Sequence, residues 1–297
     1  MTEMNNNVTA PEEVVIKKQN QFLEVFKRLR QRPSAMVGLT ILTILILIAL
    51  LSPWIIPYDY AKIDVLNANQ PPSSAHWFGT DQIGRDILSR CMYGARYSLT
   101  LGILATLIGT AIGLVFGSIA GYFGGKTDDI MMRITDVFES IPGMVLNIAV
   151  ACAVGPGFFN TIWALSIGGI SGTARMIRAQ ILKIRSQEFI EAAEVTNCST
   201  PKVIIKHLLP NAISPTLVGM AMGVGWHIMG AAGLSYLGLG VQPPTPEWGA
   251  MLADARAYLA KYPWMCIFPG VCIMITVLAF NLMGDGLRDA MDPKLKK

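Results

Sequence analysis

The chain has 297 residues, of which 52% are hydrophobic and only 15% charged, with a mean hydropathy of +0.46. Soluble domains carry about 25% charged residues, so a soluble globule is excluded; the net charge of +4 reports membrane topology and not nucleic-acid binding. The five cysteines (Cys91, Cys152, Cys198, Cys266 and Cys272) lack CxxC spacing, so they indicate neither a metal site nor a disulfide framework; small apolar packing accounts for them.

A polar tail, 1–34, precedes the first apolar run, so that run is expected to remain as an anchor. Five runs contain no Asp, Glu, Lys or Arg: 35–56, 97–125, 140–174, 208–246 and 262–284. Each reaches the length of about 20 residues that a bilayer-spanning helix needs. The run 140–174 is long enough to fold back, and Gly155-Pro156-Gly157 supplies a turn at its middle. Positive charge decides between one span and a hairpin there. With a hairpin and a cytoplasmic N-terminus, only Lys62, Arg85, Arg90, Arg96, Arg256 and Lys261 lie outside, and the other 18 of the 24 basic residues lie inside. We therefore expect an all-α polytopic fold with six transmembrane helices near 35–56, 98–122, 137–154, 158–177, 210–232 and 263–283. Both termini are expected in the cytoplasm.

At 120–127 the text AGYFGGKT imitates a phosphate-binding loop. Such a loop joins a strand to a helix so that its backbone N–H groups wrap the phosphates. Here it ends a hydrophobic helix, begins with Ala120, and reads as the cytoplasmic exit of the second span. No ATPase activity of the chain's own is expected. Within that span Gly109, Gly113, Gly117 and Gly121 recur every four residues, which places them on one face for close helix packing. Gly219 and Gly223 suggest the same device in the fifth span.

Asn147, His227 and Asn281 fall at membrane depth. Polar residues there line a substrate path or, more commonly, bond between helices. Ser171 in GGISGT does not form a GxSxG elbow, and no histidine pairs with it, so no catalytic residue is expected. Outside the membrane, 81–96 mixes Asp and Arg and is expected on the outer membrane face. Residues 233–262 are too rich in Gly and Pro for a span, with a short surface helix expected at 250–259. Glu247 and Trp248 offer a contact for a binding protein or the top of the path; interfacial anchoring by Trp is the alternative.

The most informative stretch is RSQEFIEAAEVTNCSTPKVIIKHLLPNAISP, 185–215. Residues 186–196 read as a short helix with Phe189, Ala192 and Ala193 on one side. Asn197 suits the left-handed conformation that ends a helix. Ser199 or Thr200 can cap the next helix, and Pro201 suits its first turn. Adjacent alanines on an exposed helix imply that something packs closely against them.

The pattern Glu191-Ala192-Ala193, then Asn197, then Leu209-Pro210 resembles the EAA loop of ABC-importer permeases. That family usually has Gly where this chain has Asn197 and an aliphatic residue where it has His207. FGTDQIGRDILSRCMYGARYSL (78–99), GYFGG (121–125), GLSYLGLGVQPPTPEWGAML (233–252) and FNLMGDGLRDAMDPKLK (280–296) are similar to the C-type subunit of dipeptide, oligopeptide and nickel importers. The resemblance runs from about residue 30 to the end. It implies a type I permease core over 97–289, preceded by a first helix and extracytoplasmic segment (35–96) and followed by a cytoplasmic tail (290–297). It also implies that Glu191, Ala192, Ala193 and Asn197 dock a separate ATPase and that Leu209-Pro210 forms a rigid joint. The implied partners are a B-type permease, two ATPase subunits and an extracytoplasmic binding protein, set in the lipid of the plasma membrane. Neither a cofactor nor a nucleic acid is implied. Peptide is the expected cargo, with nickel or another small solute as the alternative. A stand-alone secondary transporter would need ionisable residues inside its helices, and the five runs have none.

Overall fold

A computed structural model describes residues 21–291. It is helical throughout, and the described residues contain no strand beyond one isolated bridge between Thr80 and Asp86. In chain order the helices are α1 (Gln21–Arg30), α2 (Pro33–Ile55), α3 (Ile87–Phe123), α4 (Gly125–Glu139), α5 (Gly143–Val154) and α6 (Phe158–Ile184). The second half holds α7 (Glu188–Val195), α8 (Thr200–Lys202), α9 (Leu209–Ala212), α10 (Ser214–Tyr236), α11 (Trp248–Ala255) and α12 (Trp264–Met291). A π-helical stretch, Val203–Leu208, joins α8 to α9.

The centre of the bundle is the pair α3 and α6. A Cβ built on Gly109 would stand 2.7 Å from the carbonyl oxygen of Ser166, and one on Gly113 2.6 Å from Cβ of Thr173. One on Gly117 would collide with the carbonyl oxygen of Ala174, and one on Gly121 would lie 2.9 Å from Cβ of Ile181. The glycine face of α3 thus lies on the backbone of α6. Partner numbers rise together along both helices, so the two run parallel. Elsewhere the directions oppose: Gly102 meets Ile228 of α10, Gly225 meets Val277 of α12, and Gly286 meets Ala35 of α2.

These directions dictate the path. Two parallel helices can follow each other only if the chain returns between them, and α4 with α5 makes that return. By length and composition α2, α3, α10 and α12 can each cross a bilayer, and α4 plus α5 makes a fifth crossing if the pair is one span. Helix α6, with 27 residues, is long enough but diluted by Asn160, glycines, Arg175 and Arg178. Counting α6, the chain runs along the bundle six times in alternating directions. One end of the bundle collects α1, the 185–210 loop and the end of α12; the other collects 56–86, the α5–α6 turn and 237–263.

Several expected boundaries change. The third span is not one helix over 137–154: the chain bends by 86° between α4 and α5. Pro142 supplies no N–H and pushes the preceding residue out of helical conformation. Helix α5 alone, about 18 Å long at 1.5 Å per residue, is too short for a hydrocarbon core of about 30 Å. Helix α3 starts at Ile87, not near 98, because Asp86 caps it by accepting from the Ser89 backbone N–H at 2.7 Å. Helix α10 starts at Ser214, where Pro215 sits in the first turn and needs no donor. The tail contains α1, held by Leu29 against Ala35 and Ala290; its first twenty residues, and 292–297, lie outside the described residues. Gly219 and Gly223 do not repeat the tight contact, since their nearest neighbours stand 3.8 and 3.4 Å away.

The α3–α6 contact gives a direct expectation. Gly117→Leu forces a side chain into a backbone carbonyl that cannot rotate away, so it destabilises the bundle by about 1–3 kcal/mol or more. This is read as a lowered melting temperature of the detergent-solubilised protein. An unchanged melting curve contradicts the contact.

Candidate functional site

The loop at 185–210 is built on α6. Ile177, Ile181 and Ile184 of α6 form one apolar cluster with Ile190, Val203, Leu208 and Ala212 of the loop. Ile190 is 1% exposed, and Val203 and Leu208 are wholly buried. The Arg185 Nη1 donates to the Tyr122 carbonyl at 2.9 Å and so ties the start of the loop to the end of α3. Arg178 forms a two-pronged ion pair with Asp128 of α4, both bonds being 2.5 Å.

Helix α7 ends as its residues require. Asn197 has φ +59°, and the Cys198 N–H then reaches the Ala193 carbonyl at 3.1 Å. Thr196 Oγ1 donates to the same carbonyl at 3.0 Å. Ser199 occupies the cap position of α8 without a side-chain cap bond, and Pro201 lies in the first turn. Pro210 has no N–H to continue an α pattern, and the turn before it widens: the Leu209 N–H bonds to the Ile204 carbonyl. His207 lies in this π turn, half-buried, and its carbonyl accepts from Asn211 Nδ2 at 2.7 Å.

The outward face of α7 differs from the expected one. Ala193 is 9% exposed and packs inward, because a helix that buries Ile190 also buries the residue three positions on. Phe189, Glu191 and Ala192 point outward, as does Val195, which is 88% exposed. Leu209 is half-buried and Pro210 exposed. The free surface of the loop includes Phe189, Glu191, Ala192, Val195 and Asn197 and, on the second arm, Ile205.

At the opposite end Glu247 and Trp248 are each 1% exposed, so neither is available to a docking protein, nor does the indole anchor at an interface. The Glu247 carboxylate caps α11 by accepting from the N–H groups of Gly249 and Ala250, both at 2.8 Å. It also accepts from Ser98 Oγ of α3 at 3.2 Å and from Ser235 Oγ of α10 at 3.0 Å. The Trp248 Nε1 donates to the Cys91 carbonyl at 2.9 Å. Helix α11 is thus tucked among α3, α10 and α12 and is not a surface helix. Most of the run 81–96 is buried in the protein: Asp81 accepts from Arg85 Nε at 2.5 Å and stands 3.8 Å from Arg90 Nε. Burial pushes the Asp254 carboxyl above the usual carboxylate range, against the pull of Arg85 and Arg90. Sequence reasoning missed the buried role of Glu247; the signal present was a carboxylate directly ahead of the apolar stretch 248–253.

In the interior, His227 Nδ1 lies 2.8 Å from Thr106 Oγ1 of α3. The two border a cavity of about 230 Å³ between α3, α6 and α10. Asn147 lies apart from it beside Gly168, with its Oδ1 buried and unpartnered, and Asn281 is half-buried on α12. At 120–127, α3 runs to Phe123 and α4 begins at Gly125, with φ +65° at Gly124 and +51° at Gly125. The strand that a phosphate loop requires is a helix here.

The left-handed turn at Asn197 is testable. Asn197→Gly leaves amide exchange across 188–212 unchanged, whereas Asn197→Val costs about 1–2 kcal/mol for a non-glycine residue forced into this region. That speeds exchange about 5- to 30-fold. Equal exchange in both variants contradicts the turn.

A family model described as a binding-protein-dependent transport system inner membrane component matches residues 113–297. A second, described as the N-terminal TM domain of oligopeptide transport permease C, matches 20–72. The oligopeptide transport system permease protein OppC of Bacillus subtilis (strain 168) is 42% identical over 291 residues, covering 98% of this chain and 95% of that protein. The glutathione transport system permease protein GsiD of Escherichia coli O157:H7 is 46% identical over 274 residues, 92% of this chain and 90% of that one. The dipeptide transport system permease protein DppC of Alkalihalophilus pseudofirmus is 43% identical over 273 residues, with the same shares. An inward-facing structure of the MetNI methionine ABC transporter shares the fold, with TM-score 0.55 and 21% identity over 69% of this chain and 98% of that one. With its loop built on α6 and these relatives along nearly its whole length, the chain belongs to the inner-membrane permease components of binding-protein-dependent ABC importers.

Proposed function

We propose that this chain is the C-type permease subunit of a peptide importer in the plasma membrane, with both termini cytoplasmic. It pairs with a B-type permease; two ATPase subunits sit against the 185–210 loop, and a binding protein delivers cargo at the opposite end. The peptide assignment draws on relatives named for oligopeptide, dipeptide and glutathione transport. The chain's own part is to carry the pathway and to receive the force of ATP hydrolysis from its neighbours.

One observation supports the coupling role above the rest. The loop is locked to α6 by its own apolar core, while Glu191, Ala192 and Val195 are left facing outward. A short helix with satisfied backbone bonds transmits displacement without bending. Pressed from outside, this one moves α6 through the isoleucine cluster and α10 through the chain itself. A rigid-body switch between two bundle arrangements is the motion such a lever drives. Ala193 and Asn197 serve the loop's internal shape, Leu209-Pro210 its joint to α10, and Ala192 and Val195 the contact.

The test separates contact from folding. Ala192→Trp and Val195→Asp alter only outward positions. Insertion and co-purification of the second permease are expected to stay normal, with co-purified ATPase falling at least about tenfold, a loss of roughly 1.4 kcal/mol. Full ATPase retention together with full uptake refutes docking at this face. Lys126→Ala, at an exposed position of the phosphate-loop mimic, leaves the ATP turnover of the assembled importer intact, since hydrolysis belongs to the separate subunits.

A further inference from the structure

The cavity between α3, α6 and α10 is bordered by glycines that packing does not explain. The four on α3 lie against the α6 backbone, where no side chain fits. In contrast, a Cβ at Gly172 of α6 would meet nothing within 4 Å, and one at Gly219 of α10 only the terminal methyl of Met176, at 3.8 Å. Both sit inside regular helices, and neither is among the glycines with positive φ. Glycine weakens a helix relative to alanine. At these two positions neither a neighbour within this chain nor the backbone asks for it. Both line the cavity, and both are exposed, which places them at its mouth. What their missing side chains preserve is open volume.

The walls indicate what that volume suits. Thr106, Thr110, Thr173 and Thr216 line it together with His227, and no Asp, Glu, Lys or Arg does. The 2.8 Å contact of His227 Nδ1 with Thr106 Oγ1 braces the α10 wall against α3, and the His227 ring also lies against the Gly169 side of α6. The Thr106 hydroxyl is already engaged, donating to the Gly102 carbonyl at 2.8 Å; those of Thr110 and Thr173 can both donate and accept, so such a wall replaces water around an amide or a neutral polar group. A bare charge would lose its hydration there without a counter-ion. Pockets for drug-sized ligands run about 300–1,000 Å³. At about 230 Å³ this cavity holds one residue and not a whole peptide.

Resting on the peptide-import reading, we infer that this cavity is a transit niche in which the subunit holds one residue of a passing peptide, the uncharged side chain with its adjoining amide. Gly172 and Gly219 admit it by carrying no side chain of their own, and the threonine hydroxyls take over the hydrogen bonds of its lost water. Among uncharged residues the niche discriminates by bulk.

The experiment uses the complete importer, with second permease, ATPases and binding protein, in proteoliposomes. Uptake is measured for an alanine tripeptide and for its variant with a central phenylalanine, which have equal charge and length. Gly172→Leu and Gly219→Leu project into open space, so melting temperature and subunit co-purification are expected to match the wild type. Uptake of the phenylalanine peptide is expected to fall at least about tenfold, and that of the alanine peptide less than about threefold, the scale of discrimination that a filled apolar pocket gives. Alanine in place of leucine at either site gives an intermediate effect. Equal slowing of both peptides, or no slowing of either, overturns the niche. So does loss of the second permease from the complex, which would make these glycines a subunit contact. A wild type that imports neither peptide overturns peptide import itself, and with it the niche; its appearance in the unaltered protein tells the two failures apart.

Discussion

Everything in this bundle depends on two parallel helices meeting at their backbones. In a bilayer no hydrophobic force draws helices together, so close contact has to supply the attraction through packing and dispersion. Four glycines on α3 give that contact its length, from Gly109 beside Ser166 to Gly121 beside Ile181. Because the pair is parallel, the chain has to cross back between its members, and the bent pair α4 and α5 is the consequence. The ends of these helices nearest the 185–210 loop are then tied again, by Arg178 to Asp128 and by Arg185 to the Tyr122 carbonyl.

The same α6 that lies on α3 also carries the loop. Its isoleucines at 177, 181 and 184 continue directly into the loop's core. The loop's far end runs through the π turn and Pro210 into α10. It therefore bridges the two helices that, with α3, enclose the cavity. In the reading advanced above, a push on α7 changes the separation of α6 and α10, and so the width of the niche between them. The fixed element is α3, braced at the opposite end by the carboxylate of Glu247 acting on Ser98 and by the Trp248 indole on the Cys91 carbonyl. A lever at one end, a clamp at the other and an unfilled space between them suit a machine that alternates.

Parts of this were legible beforehand because they are local. Glycine spacing of four marks a helix face whatever lies opposite. An asparagine before a new helix start marks a left-handed stop, and Asn197 adopts one. Where reading residue by residue failed, the reason was a distant partner. Glu247 and Trp248 looked exposed because a carboxylate and an indole in a Gly/Pro-rich stretch usually are, yet serines 12 and 149 residues away bury the carboxylate. Ala193 looked like a docking residue until Ile190 set which side of α7 faces α6. The glycines at 219 and 223 were read by analogy with α3, but spacing cannot say whether the facing surface is a backbone or a void.

Hydropathy by itself determined that this chain is a membrane protein with five long uncharged runs, and motif residues placed it among importer permeases. Both follow from single-residue transfer energies and from short-range chain geometry, which need no partner. Only the tertiary structure decided which way neighbouring helices run, that Pro142 breaks the third passage, which face of α7 is free, and that an uncharged cavity lies between α3, α6 and α10. Those depend on what stands across each contact, and a linear pattern holds the shape of one surface without the shape of the other.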